Sequence, residues 1–150
     1  MFLSVNNINV KQLQPFQQKE TIQEQKDSQA EKQNSKQQIS ECYNNLCEYS
    51  ARSMQNICDL YNENFFDKGN SFYTEHMFYC DLYESAALVL GNVYKNAKTQ
   101  TANDIINAIS KVKEATTNAV KGLKALIKKE QAFIQEQKKL KNLQKQKYNN

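Results

Sequence analysis

The feature that most constrains this chain is how little interrupts it. Proline occurs once, at Pro15, and glycine three times, at Gly69, Gly91 and Gly122, in 150 residues. Proline and glycine punctuate helices, so a chain this poor in both can run helices for tens of residues. No stretch shows the sustained apolar–polar alternation of a half-buried strand. The expected fold class is all-α, in one domain.

Apolar spacing divides the chain into three helices, over about 39–66, 71–97 and 101–147. In the first, with Ser40 as its N-cap, Cys47, Ala51, Met54, Cys58, Tyr61 and Phe65 recur at steps of four and three, widened by Leu46, Ile57 and Leu60. That spacing places them on one face. The segment 67–70 (Asp-Lys-Gly-Asn) reads as the turn, with Gly69 suited to a left-handed helix cap. The second helix carries apolar columns at seven-residue spacing, such as Phe72, Tyr79, Ala86 and Val93, and adds Met77, Phe78, Leu82, Leu88 and Val89 on other faces. A helix apolar nearly all round is buried on more than one side, at the centre of a bundle or in an interface between chains.

The third helix opens at Thr101, with Asp104 at capping-box spacing. Ile105, Val112, Ala119, Leu126, Phe133 and Leu140 form an unbroken column. A second column, Ile109, Thr116 and Leu123, turns polar at Glu130 and Gln137. Ala108, Ala115 and Gly122 form a small-residue column that lets a neighbour approach closely. Beyond Lys138 the helix is expected to fray or extend into solvent. The short links predict an antiparallel helical hairpin plus a long third helix, a coiled-coil-like three-helix bundle whose last helix outruns the others.

Residues 1–37 form a separate head. Residues 11–38 are dense in Gln, Lys, Glu and Ser, and Leu13, Phe16, Ile22 and Ala30 define no stripe. Such a segment buries too little to offset its ordering entropy, which predicts a flexible, disordered head ahead of a bundle over 38–150. Residues 1–10 are a short apolar–polar piece suited to docking. They lack the charged start and long apolar core of a secretory signal. The longest apolar run, 86–90, is far short of a membrane span. A cytoplasmic, soluble protein is expected; the alternative is export without a cleaved signal peptide.

Charge is unevenly spread within a net +4. Residues 38–70 hold two basic and five acidic side chains, −3, whereas residues 101–150 hold eleven lysines and four acids, +7. The basic patch is densest at Lys138, Lys139, Lys141, Lys145 and Lys147. Lysines here have two readings. They solvate the helix and lean toward the acidic hairpin and the helix C-terminus, or they form a patch for nucleic acid or anionic lipid. The first is favoured. Arg52 is the only arginine, and no nucleic-acid-binding motif is present.

Chemical sites are scarce. Cys42, Cys47, Cys58 and Cys80 contain no CxxC pair, which argues for reduced thiols. His76 and Cys80 lie one helical turn apart. Cys58 and Cys80 are equidistant from Gly69, so a hairpin centred there would bring them together. A zinc site from His76, Cys58 and Cys80 lacks a fourth ligand, and small core residues are the simpler account. A Cys-His nucleophile would need a cleft and oxyanion donors. No metal, cofactor or enzymatic activity is expected.

The function expected is a protein–protein interaction module: an adaptor, a chaperone-like protein or a structural subunit, self-associating or partnered. Phe78, Leu82 and Val89, with Phe133 and Leu140, are the candidate contact residues, because a three-helix bundle cannot cover them all. In outline this architecture is similar to small accessory and chaperone proteins of bacterial secretion and flagellar export, and no motif carries the likeness further. The alternatives are an effector or substrate of a bacterial export system, and a binder of nucleic acid or anionic surfaces through the third helix.

Overall fold

The computed structural model describes residues 29–149, with side chains from residue 37. Most of the head, including the docking segment 1–10, lies outside the described residues. Three α-helices follow one another: α1 (Gln29–Asn62), α2 (Phe66–Lys95) and α3 (Ala102–Asn149). They run up, down and up, and each packs against the other two. None is long and apolar enough to cross a membrane.

The hairpin turns at Asn64, not at Gly69. Asn64 takes a left-handed conformation, φ 66°, which asparagine tolerates better than most residues. Its N–H donates to the Tyr61 carbonyl (3.1 Å) and the Phe65 N–H to the Leu60 carbonyl (2.8 Å). This pair of bonds is a Schellman closure, which satisfies carbonyls that the helix end would leave orphaned. With the turn complete at Phe65, residues 67–70 become the first turn of α2. Gly69 is buried there, and a Cβ on it would stand 3.3 Å from the Tyr61 ring.

At the other end, α3 opens as the sequence predicts. The Thr101 N–H donates to Asp104 Oδ2 (3.0 Å), and the Asp104 N–H donates back to Thr101 Oγ1 (3.2 Å). This reciprocal cap also holds the Asp104 carboxyl below its ordinary pKa, the backbone bond from Thr101 being the largest cause.

α1 starts ten residues before the expected 39, and Ser40 lies inside it rather than at its cap. α3 runs alongside α1, and Lys113 Nζ donates to Gln38 Oε1 (2.7 Å). Glu130 faces Ser53 and Lys141 reaches Glu63, so the two helices keep nearly one register along their length. α3 is therefore largely matched by α1. Only residues 142–149 pass the turn, about 12 Å of helix at 1.5 Å per residue. They stay helical and exposed to Asn149, so of the two outcomes expected beyond Lys138 the helix extends into solvent instead of fraying.

The core is a seam of Leu46, Met54, Ile57 and Leu60 from α1, Phe72, Tyr83 and Leu90 from α2, and Val112, Ala119, Leu123 and Leu126 from α3. α1 is rotated relative to its expected stripe. Cys47, Ala51 and Tyr61 lie at the edge of the core, while Ser50 and Ser53 are fully buried. The small-residue column of α3 accepts a ring rather than a backbone: Tyr79 lies against Gly122, where a Cβ would clash with it.

Candidate interaction face and a buried polar chain

The buried face of α2 comprises Phe72, His76, Cys80, Tyr83, Ala87, Leu90 and Tyr94. Its back is uncovered by the other two helices. Phe78 is 59% exposed, Leu82 36%, Leu88 70% and Val89 50%. At 100° per residue, Phe78, Leu82, Ser85 and Val89 fall within one narrow stripe opposite the core. Between Ser71 and Asn92 the exposed positions are Ser71, Thr74, Phe78, Asp81, Leu82, Ser85, Leu88, Val89 and Asn92, so Asp81 is the one charge among them, with the partly exposed Glu75 and Glu84 at the margins of the face. The outer face of a solvated helix ordinarily carries its charges; a charge-poor apolar patch is the composition of an interface centre.

The other candidate contact residues divide. Phe133 is turned inward, edge-on to Phe65 at 5.5 Å and to Phe72 at 6.4 Å between ring centres. Lys68 lies over the Phe72 and Phe133 rings. Phe133 therefore closes the turn end of the core. Leu140 is exposed, with Leu143 and Tyr148 beyond it on the overhang.

The basic patch is partly engaged. Lys141 Nζ sits 2.6 Å from Glu63 Oε2, and this bond, with a smaller contribution from Lys138, holds the Glu63 carboxyl below its ordinary pKa. Both partners are well exposed, so the pair adds little stability. Lys138 and Lys141 also line a groove of about 390 Å3 with Asp59, Leu60, Phe65 and Ile134. Lys139, Lys145 and Lys147 remain exposed.

Inside the bundle lies a chain of polar groups absent from the sequence reading. Glu130 of α3 is fully buried. Its Oε2 accepts from Ser53 Oγ (3.0 Å) and its Oε1 from Asn56 Nδ2 (3.1 Å), both of α1. Ser53 Oγ lies 3.1 Å from Nδ1 of the buried His76 of α2, whose Nε2 is 3.6 Å from Cys80 Sγ. Tyr73 stacks on the imidazole at 6.3 Å. Burial sets the protonation chemistry. It pushes Glu130 up to about 7 against the lowering pull of its two donors, holds His76 down at about 4, and pushes the Cys80 thiol up to about 12. A thiol that resists ionisation is a poor nucleophile, and the group has no exposed member to meet a substrate. The spacing did carry a signal: Glu130 continues the column Ile109, Thr116, Leu123, and Ser53 falls seven residues after Leu46 and seven before Leu60. Both polar side chains keep those seam positions and are buried in the structure.

The three-residue zinc grouping is not assembled. Residues that meet across the hairpin, Tyr61 with Asn70, Ser53 with His76 and Tyr43 with Tyr83, place its centre near Asn64. Cys58 is then level with about residue 70, roughly 15 Å along the axis from Cys80. Their predicted pairing rested on a centre at Gly69. Among the described residues no three metal-ligating side chains cluster, and none of the four cysteines forms a disulfide.

No protein family, curated protein or solved structure matches this chain.

Proposed function

We propose that this protein is a non-enzymatic interaction module that self-associates through the outer face of α2. The observation that carries the reading is the exposed, charge-poor stripe Phe78, Leu82, Ser85 and Val89, with Leu88 exposed at its edge. The stripe also suits a second copy of itself. A two-fold axis through Ser85 sets Leu82 of one chain over Leu88 of the other, with the small serines at the crossing point. The two Asp81 carboxylates then stand eight residues apart along the antiparallel pair, about 12 Å. That is beyond the Debye length at physiological salt, so their repulsion is screened. Isologous contacts of this kind close as dimers. The basic end of α3 lends less to an anionic-surface reading, because Lys141 already bonds Glu63.

Sedimentation across a range of concentrations tests the proposal. A dimer is expected, lost in Leu82→Glu with helicity retained. Ser85→Cys should cross-link two chains under mild oxidation where the parent does not. A monomer at every concentration, with no cross-link from Ser85→Cys, would overturn self-association.

A further inference from the structure

The buried polar chain has a direction, and the direction follows from counting protons. Ser53 has one hydroxyl proton, and it goes to Glu130 Oε2. Its oxygen therefore accepts from His76, which must carry its ring proton on Nδ1. Nε2 is then an acceptor, and the Cys80 thiol donates to it. Every bond in the run Cys80, His76, Ser53, Glu130 points toward the carboxylate, as does the bond from Asn56. This order holds only while Glu130 is ionised.

We propose that Cys80, His76, Ser53 and Glu130 form a binding site for one proton, and that its uptake reverses the chain and moves the His76 ring proton from Nδ1 to Nε2. A protonated Glu130 donates to Ser53 Oγ. Ser53 then turns its hydroxyl to His76 Nδ1, and the new Nε2–H donates to Cys80 Sγ. The count balances: one proton is gained at the carboxyl, Ser53 and the thiol each keep one, and the imidazole stays neutral with its proton on the other nitrogen.

The surroundings favour operation near neutral pH. Glu130 is fully buried with two neutral donors from α1. From α2 it faces the negative Glu75, which raises its pKa further and whose nearest cation, Lys129 of α3, stands 3.3 Å from Glu75. His76 faces Ser53 across the hairpin, Cys80 and the Tyr73 ring on its own helix. Since the chain spans α1, α2 and α3, the ionisation of one carboxyl on α3 is written into a ring on α2.

His76 is the sole histidine, so its ring nitrogens can be read without ambiguity in the full-length protein. The experiment is long-range proton–nitrogen correlation NMR of the 15N-labelled chain from pH 5.5 to 8.5. The ring should remain neutral, with its proton on Nδ1 above a transition near pH 7 and on Nε2 below it. Glu130→Gln should leave one tautomer at every pH. Ser53→Ala, which cuts the chain while leaving the Glu130 carboxyl and the His76 ring themselves in place, should do the same, and keeps the test open if the first variant fails to fold. A wild-type ring that holds one tautomer throughout would overturn the proposal. So would a transition that survives either substitution, or one that produces the imidazolium.

Discussion

Glu130 and His76 pull the pH dependence of stability in opposite directions. Glu130 is raised in the fold to about 7 from 4.5. It contributes stability that is full below the unfolded pKa and lost as pH rises toward 7. His76 is lowered to about 4 from 6.5. It contributes stability that is full above 6.5 and lost as pH falls toward 4. Between about pH 4.5 and 6.5 the two largely cancel. In Glu130→Gln the histidine is left uncompensated. The stability of that variant relative to wild type should rise by on the order of 2–3 kcal/mol between pH 4.5 and 8. Urea melts of both proteins across that range measure the difference, and a flat difference would show that the carboxyl is not desolvated.

At the scale of elements, two positions show how backbone and packing set the fold. Asn64 holds the left-handed turn between α1 and α2. Asn64→Gly should be near neutral, because glycine takes that conformation without steric cost, whereas Asn64→Ala should lose roughly 1 kcal/mol. Thermal melts of the two side by side distinguish them. Gly122 is the second position. Alanine there improves helix propensity by about 1 kcal/mol, but its Cβ enters the space of the Tyr79 ring. Displacing a packed ring costs about 1–3 kcal/mol. Gly122→Ala should therefore be neutral to destabilising in the wild type and stabilising by about 1 kcal/mol in a Tyr79→Ala background. A double-mutant cycle by chemical denaturation reads the coupling directly.

At the scale of the molecule, the fold leaves one helix face unfinished. α1 and α3 divide the buried side of α2 between them, and α3 stays alongside α1 from Gln38 to Glu63 rather than crossing to the back of α2. A self-association that covers Phe78, Leu82 and Val89 should weaken little with salt, since no ion pair builds it. Lys→Gln changes at Lys138, Lys139 and Lys141 should leave the sedimentation profile unchanged; dissociation in those variants would show that the basic end of α3 takes part.

The sequence by itself determined the three helices, their order, the Thr101–Asp104 cap and the exposure of apolar residues on α2. These are local matters: a 3.6-residue period and a four-residue cap are written in contiguous stretches. Tertiary structure decided the rest. The turn fell at Asn64 rather than Gly69, which shifted the hairpin register and separated Cys58 from Cys80. α1 begins at Gln29, ahead of the expected 39. Ser53 and Glu130, polar at positions that periodicity assigns to the seam, went inside because each supplies the hydrogen bond the other needs. Such choices depend on partners 77 residues apart. A helix's period fixes which side chains share its face, but only packing fixes how far that helix slides and turns against its neighbours.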